Sequence, residues 1–246
     1  MTTITTLQQR PDLESQFRSL DSKEWPKFML QGSVPNCHRG ALFTSFADFQ
    51  IVSIDHTGTL VGIGSAVPIF WDGTIAGLPN GWDAAFEQAV SDCQTGRLVN
   101  TLVGMSVTID HAHQKQGLGS MILRSMHMLA AQRSFTSVIV PARPILKKYY
   151  PLIPMKRYIE WKRTDGSVFD PWLQVHYRLG AKPLCIAPRS MVITGAVAEW
   201  EEWTSMCFPE SGLHLVPGAL QPVKIDCGRD LGSYFDPNVW VHYPIA

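Results

Sequence analysis

Apolar positions along the chain mark a succession of helices and strands. Over Pro11–Leu20 and Lys23–Leu30 the apolar residues Phe17, Leu20, Trp25, Phe28 and Leu30 suit two short N-terminal helices. Phe49–Ile54, the turn Asp55-His56-Thr57-Gly58 and then Thr59–Phe70 read as a hairpin, with Gly58 free to take the left-handed turn conformation. Trp71–Trp82 is rich in Gly, Pro and Asn and is expected to be a loop, and Asp83–Asp92 an amphipathic helix. Leu102–Ile109 is a β-rich run, followed by a polar loop over His111–Gly119. Ser120–Arg133 places Met121, Ile122, Leu123, Met126, Leu129 and Ala130 at helical spacing. Ser137–Val140 is short, β-branched and closed by Pro141, which predicts a buried strand. Pro144–Asp170 mixes prolines with aromatics and matches neither period. Pro171–Leu179 reads as a helix ending at Gly180, and Lys182–Ala187 and Met191–Thr194 as two strands. Shorter strand-like pieces, Val223–Ile225 and Val239–His242, follow among prolines and glycines. The order predicts a mixed α/β layered domain.

Composition narrows the function. The 246 residues suffice for one large domain, and 45 % hydrophobic against 17 % charged residues predicts a substantial core. Lys plus Arg and Asp plus Glu are equal at 21 each, so no basic excess points to a nucleic-acid partner. Cys37, Cys93, Cys185, Cys207 and Cys227 are scattered, odd in number and without a CxxC pair, which favours a reducing, cytoplasmic setting. Met1–Arg10 has no apolar core, and no apolar run approaches the ~20 residues a membrane span needs, so no membrane association is expected.

The informative local unit is Thr108–Ser120, a strand, a Gly-rich loop and a helix. Gly117 and Gly119 allow a ligand close to the backbone, and the helix start offers unpaired N–H groups and a positive dipole end. Together they suit a pyrophosphate. A dinucleotide fingerprint would need glycine where Ile122 stands, and a P-loop would need Gly-Lys-Ser/Thr. What is present is Gln-x-x-Gly-x-Gly, Gln114 to Gly119.

This pattern resembles the coenzyme A signature of the GNAT acyltransferases. A second element, His176-Tyr177-Arg178-Leu179-Gly180-Ala181, resembles that family's Tyr-x-x-Leu-Gly-Phe. The resemblance covers roughly residues 45–195 and implies a layered α+β fold, with a mostly antiparallel central sheet flanked by helices. It implies a domain over 1–195 with an insertion near 144–170, and a C-terminal extension, 196–246, packed on it. It also implies acetyl-CoA or another acyl-CoA as co-substrate, without a metal. Gln114, Lys115, Gln116, Gly117, Leu118, Gly119 and Ser120 would face the pyrophosphate, and Val107, Thr108 and Ile109 would flank the pantetheine. Where many members carry a tyrosine that protonates the CoA thiolate, this chain has His176, which can also serve as a general acid.

A histidine there is also similar to GNAT-like loading domains of polyketide assembly lines, in which a threonine and an arginine assist it. Arg143 or Arg189, and Thr136 or Thr108, are the candidates, and Trp71 could line such a pocket. Asp110, at the end of the strand, is a candidate base; Glu201 and Glu202, with Glu199 nearby, could hold another, though they read first as a solvated acidic face. His111 and His113 lack a third metal ligand. The expected activity is direct acyl transfer to a small-molecule amine or a carrier-protein thiol, with backbone N–H groups near Val107 polarising the thioester. The alternatives are a malonyl-CoA decarboxylase or carrier-protein loading enzyme, and a non-catalytic acyl-CoA-binding module. A homodimer paired through the C-terminal strands would fit either activity.

Overall fold

The computed structural model describes residues 2–23 and 25–245. Its strands are β1 (Thr3–Thr6), β2 (Ile51–Ile54), β3 (Leu60–Ile69), β4 (Thr101–Ile109), β5 (Ser137–Ala142), β6 (Lys182–Gly195), β7 (Gly212–His214), β8 (Val223–Asp226) and β9 (Leu231–Pro244). Its α-helices are α1 (Glu14–Lys23), α2 (Ser33–Phe43), α3 (Trp82–Thr95), α4 (Leu118–Gln132), α5 (Met155–Tyr158), α6 (Pro171–Arg178) and α7 (Val197–Thr204). The strands form one sheet in the order β1-β2-β3-β4-β5-β9-β8-β7, with β6 paired to β9 off this path. Every pairing is antiparallel except β4 with β5. The mixed α/β layered sheet expected from the sequence is therefore present.

Several elements differ from expectation for physical reasons. Thr3–Thr6 is an edge strand on β2, because β-branched threonines suit a pleated edge without any apolar run. Lys23–Leu30 is not one helix: α1 ends at Lys23, Pro26 intervenes, and a 3-10 turn covers Lys27–Gln31. Helix α2 was not anticipated, since Pro35, Asn36 and Gly40 are poor helix formers. β5 runs on through Pro141 to Ala142; the β4–β5 ladder has ended at Ile139, so the proline's missing N–H breaks no bond to β4. The two strands expected over 182–194 are one strand with register shifts at 183/186 and 187/191. Residues 231–244, expected to lie within an added extension, run as β9 between β5 and β6 and are largely buried. β9 is thus spent inside the sheet, while β7, from the same C-terminal region, forms its outer edge.

Helix α4 lies close against the sheet because β3 carries glycines beneath it. A Cβ on Gly64 would stand 2.3 Å from Ile122 Cγ2 and 2.8 Å from Met126 Cε. Gly64→Ala should therefore push α4 outward and cost about 1–3 kcal/mol by overpacking. Urea unfolding should show a lower midpoint with an unchanged slope; an unaltered midpoint would show that α4 has slack.

Candidate active site

β4 is paired along its length with β3, from Thr101 to Ile109, but with β5 only over Thr101–Val103 against Ser137–Ile139. Beyond Val103 the two parallel strands part. The gap is a cavity of about 1030 Å³, bordered by Gly104–Ile109 on one side and Val140–Arg143 on the other. From Gly104 onward the β5-facing edge of β4 has backbone groups with no strand partner, which a ligand or water must satisfy. Ser65 opposes Ser106 while Ala66 opposes Gly104, so Met105 is an extra, bulged residue. Its carbonyl accepts a hydrogen bond from Trp82 Nε1 at 2.9 Å, which fixes that indole in the cavity wall.

The loop after β4 closes one end. Asp110 opens it by accepting from Ala112 N–H at 3.0 Å, with His113 at 3.3 Å and Lys23 at 3.7 Å. Gln114 Nε2 donates to Ile109 carbonyl at 3.2 Å, and Gln116 Nε2 to Ala112 carbonyl at 3.4 Å. Lys115 (φ 62°) and Gly117 (φ 81°) are left-handed and turn the chain into α4, whose start no side chain caps. The first amides of α4 are therefore open to an anion at the cavity's edge.

Of the residues singled out from sequence, Val107, Thr108, Ile109, Gln114, Lys115, Gly117, Leu118, Gly119, Ser120 and Arg143 all border this one cavity. Asp110, Gln116 and His176 do not. Asp110 is engaged in the turn, and its bond to His113, with the Ala112 amide, holds its carboxyl below the usual range. Arg143 is ion-paired with Asp236 at 3.0 Å.

His176 stands apart from these residues. It lies on α6, fully buried, with Trp172 edge-on against it at 4.7 Å, while Trp172 and Val175 form the cavity wall. Nδ1 is 2.6 Å from Tyr243 hydroxyl, and Nε2 is buried without a partner. Burial pushes its pKa down to about 3. The imidazole is thus neutral and does not border the cavity in this structure. The other expected helpers also sit elsewhere. Arg189 stacks on Phe235 at 3.9 Å, Thr136 Oγ1 bonds Asn100 carbonyl, and Trp71 is core, edge-on to His242. Glu199 and Glu201 cap local amides around α7.

The sequence reading missed the far side of the cavity. Trp82 at the start of α3, Asp21 and Arg39 as an ion pair at 2.9 Å, and Trp25, Met29, Met191 and Asn238 all border it. The Asp236-x-Asn238 alternation, two polar residues on one face of a strand, was the available signal. Next to Trp82, Asp83 accepts from Val192 N–H at 2.8 Å, docking α3 onto β6. Burial, with help from Glu87 and Asp236, pushes its carboxyl up to about 6.

Comparison with known proteins places this geometry among acyltransferases. The chain is 31 % identical over 252 residues to the arginine N-acetyltransferase avaD of Aspergillus versicolor, covering 91 % of this chain and 86 % of that one. It superposes on the loading GNATL domain of CurA from Lyngbya majuscula with a TM-score of 0.59 at 18 % identity, over 99 % and 98 % of the two chains. The GphF GNAT-like decarboxylase, solved with isobutyryl-CoA, gives 0.54 at 17 % identity over the same shares. At these identities the two structures share the fold. No family model matches the chain.

His176 gives a pH test. The folded protein keeps it neutral down to about pH 3, whereas the unfolded chain takes up its proton near the ordinary 6.5. Stability should therefore fall as pH drops below 6.5, with a slope from this group of about 1.4 kcal/mol per unit. His176→Gln should remove that share of the slope in urea titrations between pH 6.5 and 5. An imidazole signal of His176 titrating near 6.5 in the folded protein would contradict its burial.

Proposed function

The chain belongs to the GNAT superfamily of acyl-CoA-dependent acyltransferases, and from that premise we propose that it moves an acetyl group from acetyl-CoA to the nitrogen of a small amine, of which arginine is the first to test. The observation that carries this reading is the unpaired edge of β4 from Gly104 onward, running toward the uncapped start of α4. The similarity to an arginine N-acetyltransferase supports an amino-acid acceptor.

In this reading the backbone of Val107, Thr108 and Ile109 bonds the amides of the pantetheine arm. The loop from Gln114 to Ser120 holds the pyrophosphate through the amides of Gly117, Leu118, Gly119 and Ser120, with Lys115 adding positive charge. The thioester carbonyl lies beside the bulge at Met105, where free backbone N–H groups polarise it and hold the developing negative charge. Trp82 and Phe86 keep water from that centre. The acceptor enters between Trp25, Met29 and Arg39, and alignment of its nitrogen with the thioester supplies much of the rate. A cytoplasmic setting belongs to this reading, in keeping with five unpaired cysteines.

Incubation with acetyl-CoA and L-arginine, followed by mass spectrometry, should give acetylarginine and free CoA in equal amounts. CoA release at the same rate with and without any amine would overturn amine transfer. Gly117→Val, which forces a β-branched residue into the left-handed region, should raise the KM for acetyl-CoA about ten-fold or more. An unchanged KM would remove this loop from the CoA site.

A further inference from the structure

Arg143 is a cation on the cavity wall, yet it is not a solvated one. Its side chain is 16 % exposed. Nε lies 3.1 and 3.0 Å from the two oxygens of Asp236, and Nη2 donates to Gly218 carbonyl at 2.8 Å. The Tyr234 hydroxyl also lies within hydrogen-bonding reach of the guanidinium. Asp236 is fully buried and also accepts from Tyr234 hydroxyl at 2.6 Å and from Asn238 Nδ2 at 2.9 Å. The guanidinium is therefore held rigidly from behind. Although burial opposes its charge, Asp236 and Tyr234 keep its pKa above the usual arginine value.

The surroundings suit an anion. Arg143 shares the cavity wall with Asn238, Met191 and Trp25, the last 5.7 Å from its guanidinium carbon. Lys147, also buried, gives its hydrogen bonds to the carbonyls of Tyr150 and Leu220. A planar, pre-oriented guanidinium in a half-dry wall is the geometry that receives a carboxylate well.

We propose that Arg143 anchors a substrate carboxylate, which its guanidinium and Asn238 hold at the cavity wall. On the amine-transfer reading above, on which this rests, the carboxylate is that of an amino-acid acceptor. The same chemistry would serve the free acid of a malonyl-type donor, and the experiment separates the two. A structural role alone would leave Arg143 indifferent to whether the ligand carries a carboxylate.

The test is calorimetric titration of the protein–CoA complex with L-arginine and with agmatine, its decarboxylated counterpart. Arginine should bind at least about ten-fold tighter, the scale of one hydrogen bond to a charged group. That ratio should collapse in Arg143→Gln paired with Asp236→Asn, a variant chosen so that no buried carboxylate is left unpaired. Arg143→Lys, which keeps the charge and loses the fork, should retain part of it. In the donor arm, malonyl-CoA is compared with acetyl-CoA in the same two proteins. A malonyl preference lost in the double variant, with arginine and agmatine equal, assigns the carboxylate to the donor. Equal binding within both pairs by the unaltered protein, or ratios that survive in the double variant, would overturn the proposal. Binding is read without turnover, so a protein that acetylates no amine refutes the functional reading and still yields this answer.

Discussion

The separation of β4 from β5 after the Val103–Ile139 pair is the constraint on which the site depends. A parallel pair inside a sheet normally satisfies its backbone to the end of both strands. Here the ladder stops after three pairs, while β4 continues for six residues beside β3 and β5 turns away along β9. The unpaired edge is too polar to be covered by apolar packing, so it must meet a ligand or water. On the proposed reading, an extended ligand with spaced amides lies along that edge and its anionic end meets the open start of α4. The bulge at Met105 adds a local kink, and the Trp82 indole fixes it in place.

Keeping such a gap open requires stiffness on both sides. On the β4 side, Gly62 and Gly64 admit Ile122 and Met126 and seat α4 firmly on the sheet. On the β5 side, β9 pairs with the opposite edge of β5 over its whole length, and its Asp236 pins Arg143. The far wall is docked through Asp83 and Ser190, which tie the start of α3 to β6. His176 belongs to this support: its contact with Tyr243 joins α6 to β9 behind the wall lined by Trp172 and Val175.

What could be read in the sequence was local. The hairpin around Gly58, the apolar spacing of α4 and the loop Gln114–Gly119 each announce themselves within a few residues, and each lies where expected. What escaped depends on distant partners. β9 is a central strand only because β5 and β6 lie beside it, one a hundred residues upstream. The threonines of β1 form a strand only because β2 offers an edge. His176 has the composition of a proton donor, and only Tyr243, 67 positions away, with Trp172 edge-on, reveals it as buried. The far wall gathers Trp25, Arg39, Trp82, Met191 and Asn238 from four separate elements and the bend before Pro26, so no window of sequence contains it.

The most direct measurement of the central claim is hydrogen exchange of the backbone amides with and without CoA. Peptides spanning Ser106–Ile109 and Leu118–Ser120 should gain protection on CoA binding, because the ligand supplies the partners these amides lack. Protection confined to other segments, with β4 and the start of α4 unchanged, would contradict a site built on the parting of β4 from β5.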